Sequence, residues 1–333
     1  MTGNAITLAS AVALSQSLGL NRDPTHWDIP DADKALRIRI WWCVVCHDRW
    51  CSLAHGTPPL IHDNQHDVPI PTLEQLVRPH DLATNIFAAE VFQTLCSLTR
   101  LLAQCLSSIY HIPAVSPADN IDSGTKLRRL ELRLAQWEDA LSDMMKEIVI
   151  RHQHTEVPGA SNIRLSYLSV RLLLLRRIDI DTDNSQPDLD IELIVHKRLR
   201  AQKAAEDISH FVQNLHPTQL ADFWHPSGAF LLASTATLLL RCAVEGNATT
   251  TSDLSNNTAL RRAEEFLSTL RDFKENHGWD LGDICLAQCG EVMESLKSFT
   301  GNDPGAHLEQ LVVEGIPLVD ELFQTPWELF DTY

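Results

Sequence analysis

Three cysteines and four histidines lie close together in residues 37–71, the segment RIRIWWCVVCHDRWCSLAHGTPPLIHDNQHDVPIP. Thiolate and imidazole groups are the usual ligands of structural zinc, and Cys43-x2-Cys46 with Cys51 provides three thiols. Structural zinc sites normally take a CxxC pair from a turn whose amides support the sulfurs, whereas here two valines separate the cysteines inside a helical pattern. We therefore predict that the three cysteines are small buried core residues, and that the protein binds no metal ion and no cofactor.

These cysteines belong to a predicted helix, residues 33–55, that has apolar residues on most of its sides. At about 100° per residue, two apolar groups emerge: Leu36, Ile40, Cys43, His47, Trp50 and Ala54 form one stripe, and Trp42, Val45 and Leu53 lie on another side. A helix that is apolar nearly all round is normally buried on most sides. We therefore predict that residues 33–55 form a central helix and the most buried element of the fold.

Asp48 and Arg49 are charged residues within this apolar helix. A buried charge is costly unless it is paired, so each side chain needs a fixed partner. Because adjacent helical residues point about 100° apart, the two are not each other's main partner. We predict that Asp48 accepts hydrogen bonds from backbone amides or a basic side chain, and that Arg49 binds a carboxylate or carbonyl groups near residues 56–69.

Helical periodicity extends over the rest of the chain, and no segment shows the alternation that is typical of strands. The pattern predicts helices at residues 4–18, 33–55, 82–110, 127–148, 162–178, 190–215, 227–244, 259–275 and 283–298. Gly19 and Gly56 are predicted to end the first two helices, since glycine suits a left-handed C-terminal cap. The acidic segment 179–190 is predicted as a solvated connector, because it departs from a calcium loop at the position that needs glycine. The fold class is therefore all-α, with a single multi-helix domain.

Composition and motifs exclude several classes of function. The net charge of −17 on 333 residues argues against broad binding of a phosphate backbone, because nucleic-acid binders normally carry a basic face. The basic segment 196–203 is predicted to be a solvated helix face. No nucleophile elbow, phosphate loop or dinucleotide fingerprint occurs, so we predict no enzyme. The apolar stretch AFLLASTATLLL has about half the length of a membrane span, so we predict no membrane association.

An ordered set of motifs in the first 75 residues resembles the fungal-specific transcription factor domain, which is the middle homology region of fungal zinc-cluster regulators. The matching residues are Gly19, Arg22, Asp23, Pro24, Arg39, Trp41, Trp42, Asp48, Arg49, Leu53, Gly56, Pro58, Ile61, Asp67 and Pro69. The resemblance is strong over residues 5–75. It implies an all-helical regulatory domain, transcription regulation in the nucleus, and no enzymatic activity. These residues are expected to have structural roles.

The resemblance also implies what lies outside this chain. The six-cysteine zinc cluster of the family is not found in the sequence, and the family domain normally starts upstream of the Gly19–Pro24 element. We therefore expect a truncated or free-standing regulator. We also expect its DNA-binding module or partner regulator to be separate, and no direct DNA binding by this chain. Coactivator or repressor proteins, and a homo- or heterodimer, are further expected partners. The alternative is a non-enzymatic helical scaffold or small-ligand-binding protein outside transcription.

The predicted domain extends over residues 1–315 and leaves a tail, residues 316–333. This tail combines acidic residues with the apolar side chains Phe323, Trp327, Leu329 and Phe330. Segments of this kind can act as activation motifs, because the charge keeps the aromatic groups accessible to a coactivator groove. The alternative is a last turn that docks its aromatic side chains onto the domain. The sequence leaves both interpretations open.

Overall fold

A computed structural model of the chain describes residues 2–77, 83–110, 123–183, 191–248 and 258–299. The described part is built from helices and contains no strand, which confirms the all-α prediction. Its α-helices are α1 (Thr2–Ser17), α2 (Asp31–His55), α3 (Leu73–Leu76), α4 (Ala83–Ile109), α5 (Ser123–Ala140), α6 (Asp143–Val149), α7 (Ala160–Asp183), α8 (Ile191–Gln213), α9 (Pro217–Leu220), α10 (Gly228–Ala248), α11 (Thr258–His277) and α12 (Asp283–Phe299). One 3-10 turn lies at Asp63–Gln65.

The chain divides into two compact units. The first unit consists of residues 1–170 together with residues 222–224, and the second consists of residues 171–221 and 225–333. The predicted single domain over residues 1–315 stays a prediction. The predicted tail, residues 316–333, lies outside the described residues.

The core of the first unit is the packing of α2 against α4, with α1, α3, α5 and α6 around this pair. From Ile38 onward α2 is largely buried, and its buried residues are Ile38, Trp41, Trp42, Val45, Cys46, Asp48, Arg49, Trp50, Cys51, Ser52, Leu53 and Ala54. Facing residues of α4 include Cys96, Leu98 and Leu102, which are also fully buried. A buried central helix was predicted for residues 33–55, and the structure confirms it.

Two details of that prediction are wrong. The stripe through Leu36, Ile40 and Cys43 is solvent-exposed, with Leu36 46% and Ile40 40% accessible, so Cys43 is not a core cysteine. Cys46 and Cys51 are buried as predicted. In addition, residues 160–175 of α7 are more continuously buried than α2. Residues 31–37 at the start of α2 are exposed or half-buried, and burial begins at Ile38.

The predicted helix over residues 127–148 is interrupted. Ser142 ends the continuity, because its hydroxyl accepts a hydrogen bond from the Met145 amide (3.2 Å) and so caps a new helix, α6. Serine is a strong N-cap residue, since its side-chain oxygen pairs with an amide that the helix leaves free. The break changes the register of the apolar face, so Met145 is buried and Leu141 is only half-buried. The prediction of one continuous helix here is wrong.

The second unit is organised around α10, which packs on α8, α11 and α12. The inner face of α10 carries alanines between leucines, with Leu232, Ala236 and Leu239 fully buried. Small side chains allow neighbouring helices to approach closely, and the fully buried Phe266 of α11 contributes a large apolar group to this core. Just before α12, a Cβ added at Gly282 would lie 3.1 Å from Leu270 Cβ, so a side chain there would need Leu270 to move by a few tenths of an ångström.

A three-residue segment belongs to the first unit although its neighbours in sequence belong to the second. Asp222 accepts a hydrogen bond from the amide of Gly159 at 2.6 Å. Gly159 has a positive φ of 82°, and a Cβ there would lie 3.2 Å from Val91. Glycine adopts this left-handed conformation without steric cost, and the turn that precedes α7 depends on it.

Among the helices that the structure describes, α4 is long and apolar enough over Asn85–Ile109 to span a membrane by length and composition. More than half of that stretch is buried within the protein, and α4 packs on α2 and α5. A core helix satisfies the same test of length and composition. The apolar character of α4 is therefore explained by its place in the core.

Candidate functional site

Asp48 and Arg49 bind the segment that follows α2, and both side chains are buried, with residue accessibilities of 1% and 2%. Asp48 Oδ1 accepts the amide of Leu60 at 2.9 Å, and its Oδ2 accepts the amide of Ile61 at 3.0 Å. Arg49 Nη1 donates to the carbonyl of Ile61, and its Nη2 lies 2.8 Å from Asp63 Oδ1. Both predicted sets of partners are confirmed. We call Asp48, Arg49 and these partners the α2 clamp.

The clamp is needed because residues 56–63 have little regular structure of their own. Gly56 ends α2 in the left-handed conformation (φ 63°) with its amide bonded to the Ser52 carbonyl, and this turns the chain back along the helix. The Ser52 hydroxyl also donates to the carbonyl of Thr57, and Pro58 contributes no amide. Ile61 is fully buried, so its amide and carbonyl must find partners within the protein. The α2 clamp provides both.

The electrostatics of Asp48 follow from this position. Burial, the strongest effect, raises the pKa of the Asp48 carboxyl, whereas the amides of Leu60 and Ile61 and the charge of Arg49 lower it. A carboxylate that loses water is stabilised only by the groups that replace the water. Each oxygen of Asp48 is held by a backbone amide. This arrangement is that of a structural anchor.

A second set of contacts joins the residues before α2 to the residues after it, through Asp67. Asp67 Oδ1 accepts the amide of Asp23 at 2.7 Å, and Asp67 Oδ2 lies 3.1 Å from Arg22 Nη2. The Asp67 amide donates to the carbonyl of Asn21 at 3.3 Å, and Asn21 Nδ2 donates to the carbonyl of Gln65 at 3.0 Å. We call these contacts the Asp67 connection. They bring together motif residues that are 44 positions apart in sequence.

The turn before α2 is formed by the next motif residues. The Asp23 carboxylate accepts the amide of Thr25 at 3.0 Å, and the Trp27 amide donates to the carbonyl of Pro24 at 2.9 Å. An aspartate that bonds to the backbone two residues later is a common way of fixing a turn. The Arg22-Asp23-Pro24 element is therefore a turn. Arg22 and the amide of Asp23 both contact the Asp67 carboxylate.

The adjacent tryptophans anchor the end of the same segment. Trp42 Nε1 donates to the carbonyl of Pro69 at 2.6 Å, and Trp41 is fully buried. The ring of His66 lies 5.5 Å from Trp41 and 6.3 Å from Trp42, between centroids, and edge-on to Trp42. Burial lowers the pKa of His66, so its neutral form is favoured in this aromatic site. Trp41, Trp42 and Pro69 of the predicted set thus lie together.

Gly19 and Arg39 complete the predicted set, and the structure adds two residues that the sequence analysis did not single out. Gly19 (φ 65°) closes α1 in a left-handed turn, as predicted. Arg37 Nη2 donates to the Leu18 carbonyl at 2.7 Å, and its guanidinium lies 4.6 Å from the ring centroid of Trp27. Arg39 makes no hydrogen bond or ion pair within the described residues. The contact between Arg37 and Trp27 cannot be predicted from their spacing in the sequence, because it depends on the path of the turn between them.

The α2 clamp and the Asp67 connection hold backbone segments in place. The side chains of Asp48, Arg49 and Asp67 are all used in these contacts. Among the residues that the structure describes, no three His, Cys, Asp or Glu side chains are placed to hold a metal ion. The predicted activation residues Phe323, Trp327, Leu329 and Phe330 lie outside the described part.

Comparison with known proteins finds a similarity over the part of the chain that contains this arrangement. Residues 7–139 match the fungal specific transcription factor domain, a range that includes the α2 clamp, the Asp67 connection, most of α1, and helices α2 to α4. The match confirms the predicted resemblance and extends it beyond residue 75.

Curated relatives agree with the match. An uncharacterized transcriptional regulatory protein of Schizosaccharomyces pombe is 24% identical over 87% of this chain and 40% of its own length. The transcriptional activator protein DAL81 of Saccharomyces cerevisiae is 23% identical over 93% of the chain and 34% of its own length. An ABC-transporter-regulating transcription factor of Aspergillus oryzae is 24% identical over 44% of the chain. The chain spans two fifths or less of the length of these relatives, and no solved structure matches it.

Proposed function

We propose that this chain, which carries a fungal specific transcription factor domain over residues 7–139, is the regulatory region of a fungal zinc-cluster type transcription regulator. Its DNA-binding module would be contributed by another segment or by a partner regulator. The observation that carries the proposal is the coincidence of the family match with the α2 clamp and the Asp67 connection. Residues that carry the predicted resemblance, Asp48, Arg49 and Asp67 among them, form these two sets of contacts.

The chemistry of the described surface supports a regulatory role without DNA contacts. The net charge is −17, so binding to a phosphate backbone would require a local basic patch. The predicted candidate, residues 196–203, lies on α8, where Lys203 pairs with Asp207 at 3.3 Å. Arg171 lies 3.7 Å from the same carboxylate. Acidic partners on the same surface weaken this segment as a phosphate-binding site.

A mobility-shift assay with the purified chain tests the absence of DNA binding. We expect no sequence-selective complex at moderate salt, and weak binding only at low salt, since nonspecific contacts depend on counterion release. The matched control is Lys203→Ala, which should not change the result. Nanomolar, sequence-selective binding by the chain alone would contradict this part of the proposal.

Partners and location follow from the same proposal. A regulatory region of this kind acts in the nucleus, through coactivator or repressor proteins or through a second regulator. The acidic-aromatic residues 316–333 are a candidate coactivator contact. The docking alternative for this tail stays open. A fluorescent fusion of the chain tests this location. If the gene immediately upstream encodes a zinc cluster, the fusion is expressed together with that gene product, and we expect it to accumulate in the nucleus.

A tethering experiment tests transcription regulation directly. The full chain is fused to a heterologous DNA-binding domain and assayed on two reporters, one silent and one driven by an independent activator. We expect activation of the first or repression of the second, by at least several-fold. Asp48→Ala should abolish the effect because it removes the anchor of residues 60 and 61. Asp139→Asn, an exposed position on α5, serves as the matched control.

Two outcomes would separate the possibilities. A folded, expressed fusion that leaves both reporters unchanged would contradict transcription regulation and favour the scaffold or ligand-binding alternative. An effect that survives deletion of residues 316–333 would place the activity in the helical domain, and an effect lost with that deletion would assign it to the tail.

A further inference from the structure

One face of α5 carries a cluster of positive charge, although the chain as a whole has a net charge of −17. Its arginines are solvent-exposed, and a leucine among them is 58% accessible; the residues are Arg128, Arg129, Leu132 and Arg133. We call these residues the α5 arginine face. At about 100° per residue they fall within an arc of about 140°. Leu130 and Leu134, on the opposite side of α5, are buried, so the α5 arginine face points away from the core.

The α5 arginine face has no acidic partner among the described residues. Arg128 and Arg129 make no hydrogen bond or ion pair there, and Arg133 donates only to the side-chain oxygen of Gln104 on α4. The sequence gives a reason, since no Asp or Glu lies three or four positions from Arg129 or Arg133. These are the spacings at which a helix brings opposite charges together. The positive charge of this face is therefore available to a group outside the described structure.

Exposed cations elsewhere in the described structure are arranged differently. Several of them pair with a carboxylate four positions away, namely Arg151 with Glu147 at 3.8 Å, Lys203 with Asp207 at 3.3 Å, and Arg261 with Glu265 at 3.7 Å. On α5, by contrast, Arg129 and Arg133 are four residues apart, and like charges at this spacing destabilise a helix. The free protein therefore has a repulsion on α5 that an anionic partner would relieve.

A further arginine extends the positive charge onto the neighbouring helix. Arg100 of α4 is exposed and lies one helical turn from Gln104, the residue that Arg133 contacts. Residues four apart lie on the same face of a helix. The two helices pack on each other, and Trp137 Nε1 of α5 donates to Ser97 Oγ of α4 at 2.8 Å. The positive surface therefore extends over two packed helices of the first unit.

We propose that the α5 arginine face docks an acidic segment of a partner protein, and that this segment also carries apolar side chains. Arginine suits such a partner, because its planar guanidinium can bind a carboxylate through two parallel N–H groups. Leu132 lies between the arginines, where an apolar side chain of the segment would cover it. The inference names a contact surface for the protein partners of the proposed function, and it rests on that function only for the source of the segment.

The observations favour a protein partner over nucleic acid. A phosphate backbone offers nothing apolar to cover Leu132, which is 58% accessible. A long polyanion would also meet the field of a chain with a net charge of −17, whereas a short acidic segment presents few charges and contacts the positive face alone. Complementary charge speeds association and selects the partner, and the apolar contact adds to the affinity.

Binding of a labelled synthetic peptide of glutamate and leucine to the full chain, followed by fluorescence anisotropy, tests the proposal. We expect saturable binding that weakens as salt is added, because exposed charges are screened. The combined variant Arg128→Gln, Arg129→Gln and Arg133→Gln should weaken binding by about tenfold or more, since several charge contacts are lost together. The same peptide with glutamine in place of glutamate should not bind.

Matched variants separate this face from the rest of the surface. The combined variant Arg151→Gln, Lys203→Gln and Arg261→Gln removes the same charge from cations that have partners, and it should bind the peptide like the unmodified chain. Leu132→Ala should weaken binding, whereas Leu199→Ala, at an equally exposed leucine of α8, should not.

Unfolding measurements separate docking from a structural role. Arg129→Gln removes one of two like charges and keeps a good helix-forming residue, so the free variant should be at least as stable as the unmodified chain. The same variant should bind the peptide more weakly. A variant that loses stability and binding together would show that Arg129 supports the fold, which would contradict the proposal.

Four further results would overturn it. The first is the absence of saturable peptide binding to the folded chain, and the second is an equal loss of binding in the control variant of paired cations. The third is a preference for duplex DNA over the peptide, lost in the arginine variant, which would assign the face to nucleic acid. The fourth is peptide binding that appears only after deletion of residues 316–333, which would identify the chain's own tail as the occupant. The tethering experiment does not use the peptide, so failure here and failure of the proposed function are distinguishable.

Discussion

The α2 clamp and the Asp67 connection use the same chemistry in opposite environments. In both, one aspartate accepts a backbone amide and an arginine side chain pairs with a carboxylate. Asp48 and Arg49 are almost fully buried, whereas the side chains of Asp67 and Arg22 are 49% and 64% accessible. Buried hydrogen-bonded charges are costly to leave without a partner, and exposed ion pairs contribute little. We therefore expect the clamp to govern stability and the connection to adjust local order.

The largest expected effect is that of Asp48→Ala. The variant leaves the amides of Leu60 and Ile61 without their acceptor, and we expect a loss of about 2–4 kcal/mol in the free energy of unfolding. Urea or thermal unfolding of the purified chain measures it. Asp139→Ala on the exposed face of α5 is the control, and it should change stability by less than about 0.5 kcal/mol. Equal values for the two variants would contradict the role of Asp48 as a buried anchor.

Trp42→Phe tests a single bond next to the clamp. The substitution keeps most of the buried aromatic ring but removes the Nε1 donor to the Pro69 carbonyl. We expect a loss of about 1–3 kcal/mol, because a partly buried carbonyl loses its hydrogen bond and a small cavity remains. The matched control is Trp27→Phe, whose more exposed ring contacts Arg37 and should cost less. A larger loss for Trp27→Phe would contradict the importance given to α2 and the segment after it.

Asp67→Asn tests the exposed member of the comparison. The amide keeps an oxygen for the Asp23 amide but loses the charge that pairs with Arg22. We expect a loss of about 0.2–1 kcal/mol that becomes smaller as salt is added, since exposed pairs are screened. Unfolding midpoints at low and high ionic strength measure this dependence. A loss of stability as large as that of Asp48→Ala, and independent of salt, would contradict this expectation. It would show that the Asp67 connection stabilises the fold as strongly as the buried α2 clamp.

His154 gives the smallest expected effect, and it depends on pH. Its ring nitrogens lie 2.8 Å from Glu147 and 3.5 Å from Glu156, and these carboxylates, Glu147 first, raise the pKa of His154 above its ordinary value of 6.5. A raised pKa in the folded state stabilises the protein fully below 6.5, and this contribution disappears as the pH rises through the folded-state pKa.

The measurement compares His154→Gln with the unmodified protein across this range. We expect the variant to unfold at a lower temperature below pH 6.5 and at the same temperature well above the raised pKa. Titration of the His154 ring by NMR supplies the midpoint. A difference in unfolding temperature that is constant over the whole pH range would mean that the contact does not depend on the charge of His154.

The sequence predicted more of the α2 clamp than of its surroundings, for a physical reason. Asp48 and Arg49 lie in an apolar helix. The cost of burying an unpaired charge is enough to predict that each side chain has a partner, and which groups can be that partner. The pairing of Asp67 with Arg22 and Asp23 depends on the path of the chain through two turns, and no local rule predicts that path. The contact of Arg37 with Trp27 was missed for the same reason.

Two errors in the fold have a common cause. Cys43 was predicted to be buried because the apolar stripe continues through Leu36 and Ile40, yet a helix can be apolar on a side where nothing packs. The break at Ser142 was missed because the apolar spacing continues across it, while the capping hydroxyl acts on the backbone. In both cases hydrophobic periodicity described the side chains correctly and did not determine what surrounds them.

The bond from the Gly159 amide to Asp222 has a practical consequence for dividing the molecule. A truncation after residue 170 would separate residues 222–224 from the rest of their own unit, and the amide before α7 would lose its carboxylate. Expression of that fragment should give a less stable protein than its helical content suggests. Designers of shorter versions should keep the chain through residue 224, or supply a short replacement loop that carries an aspartate.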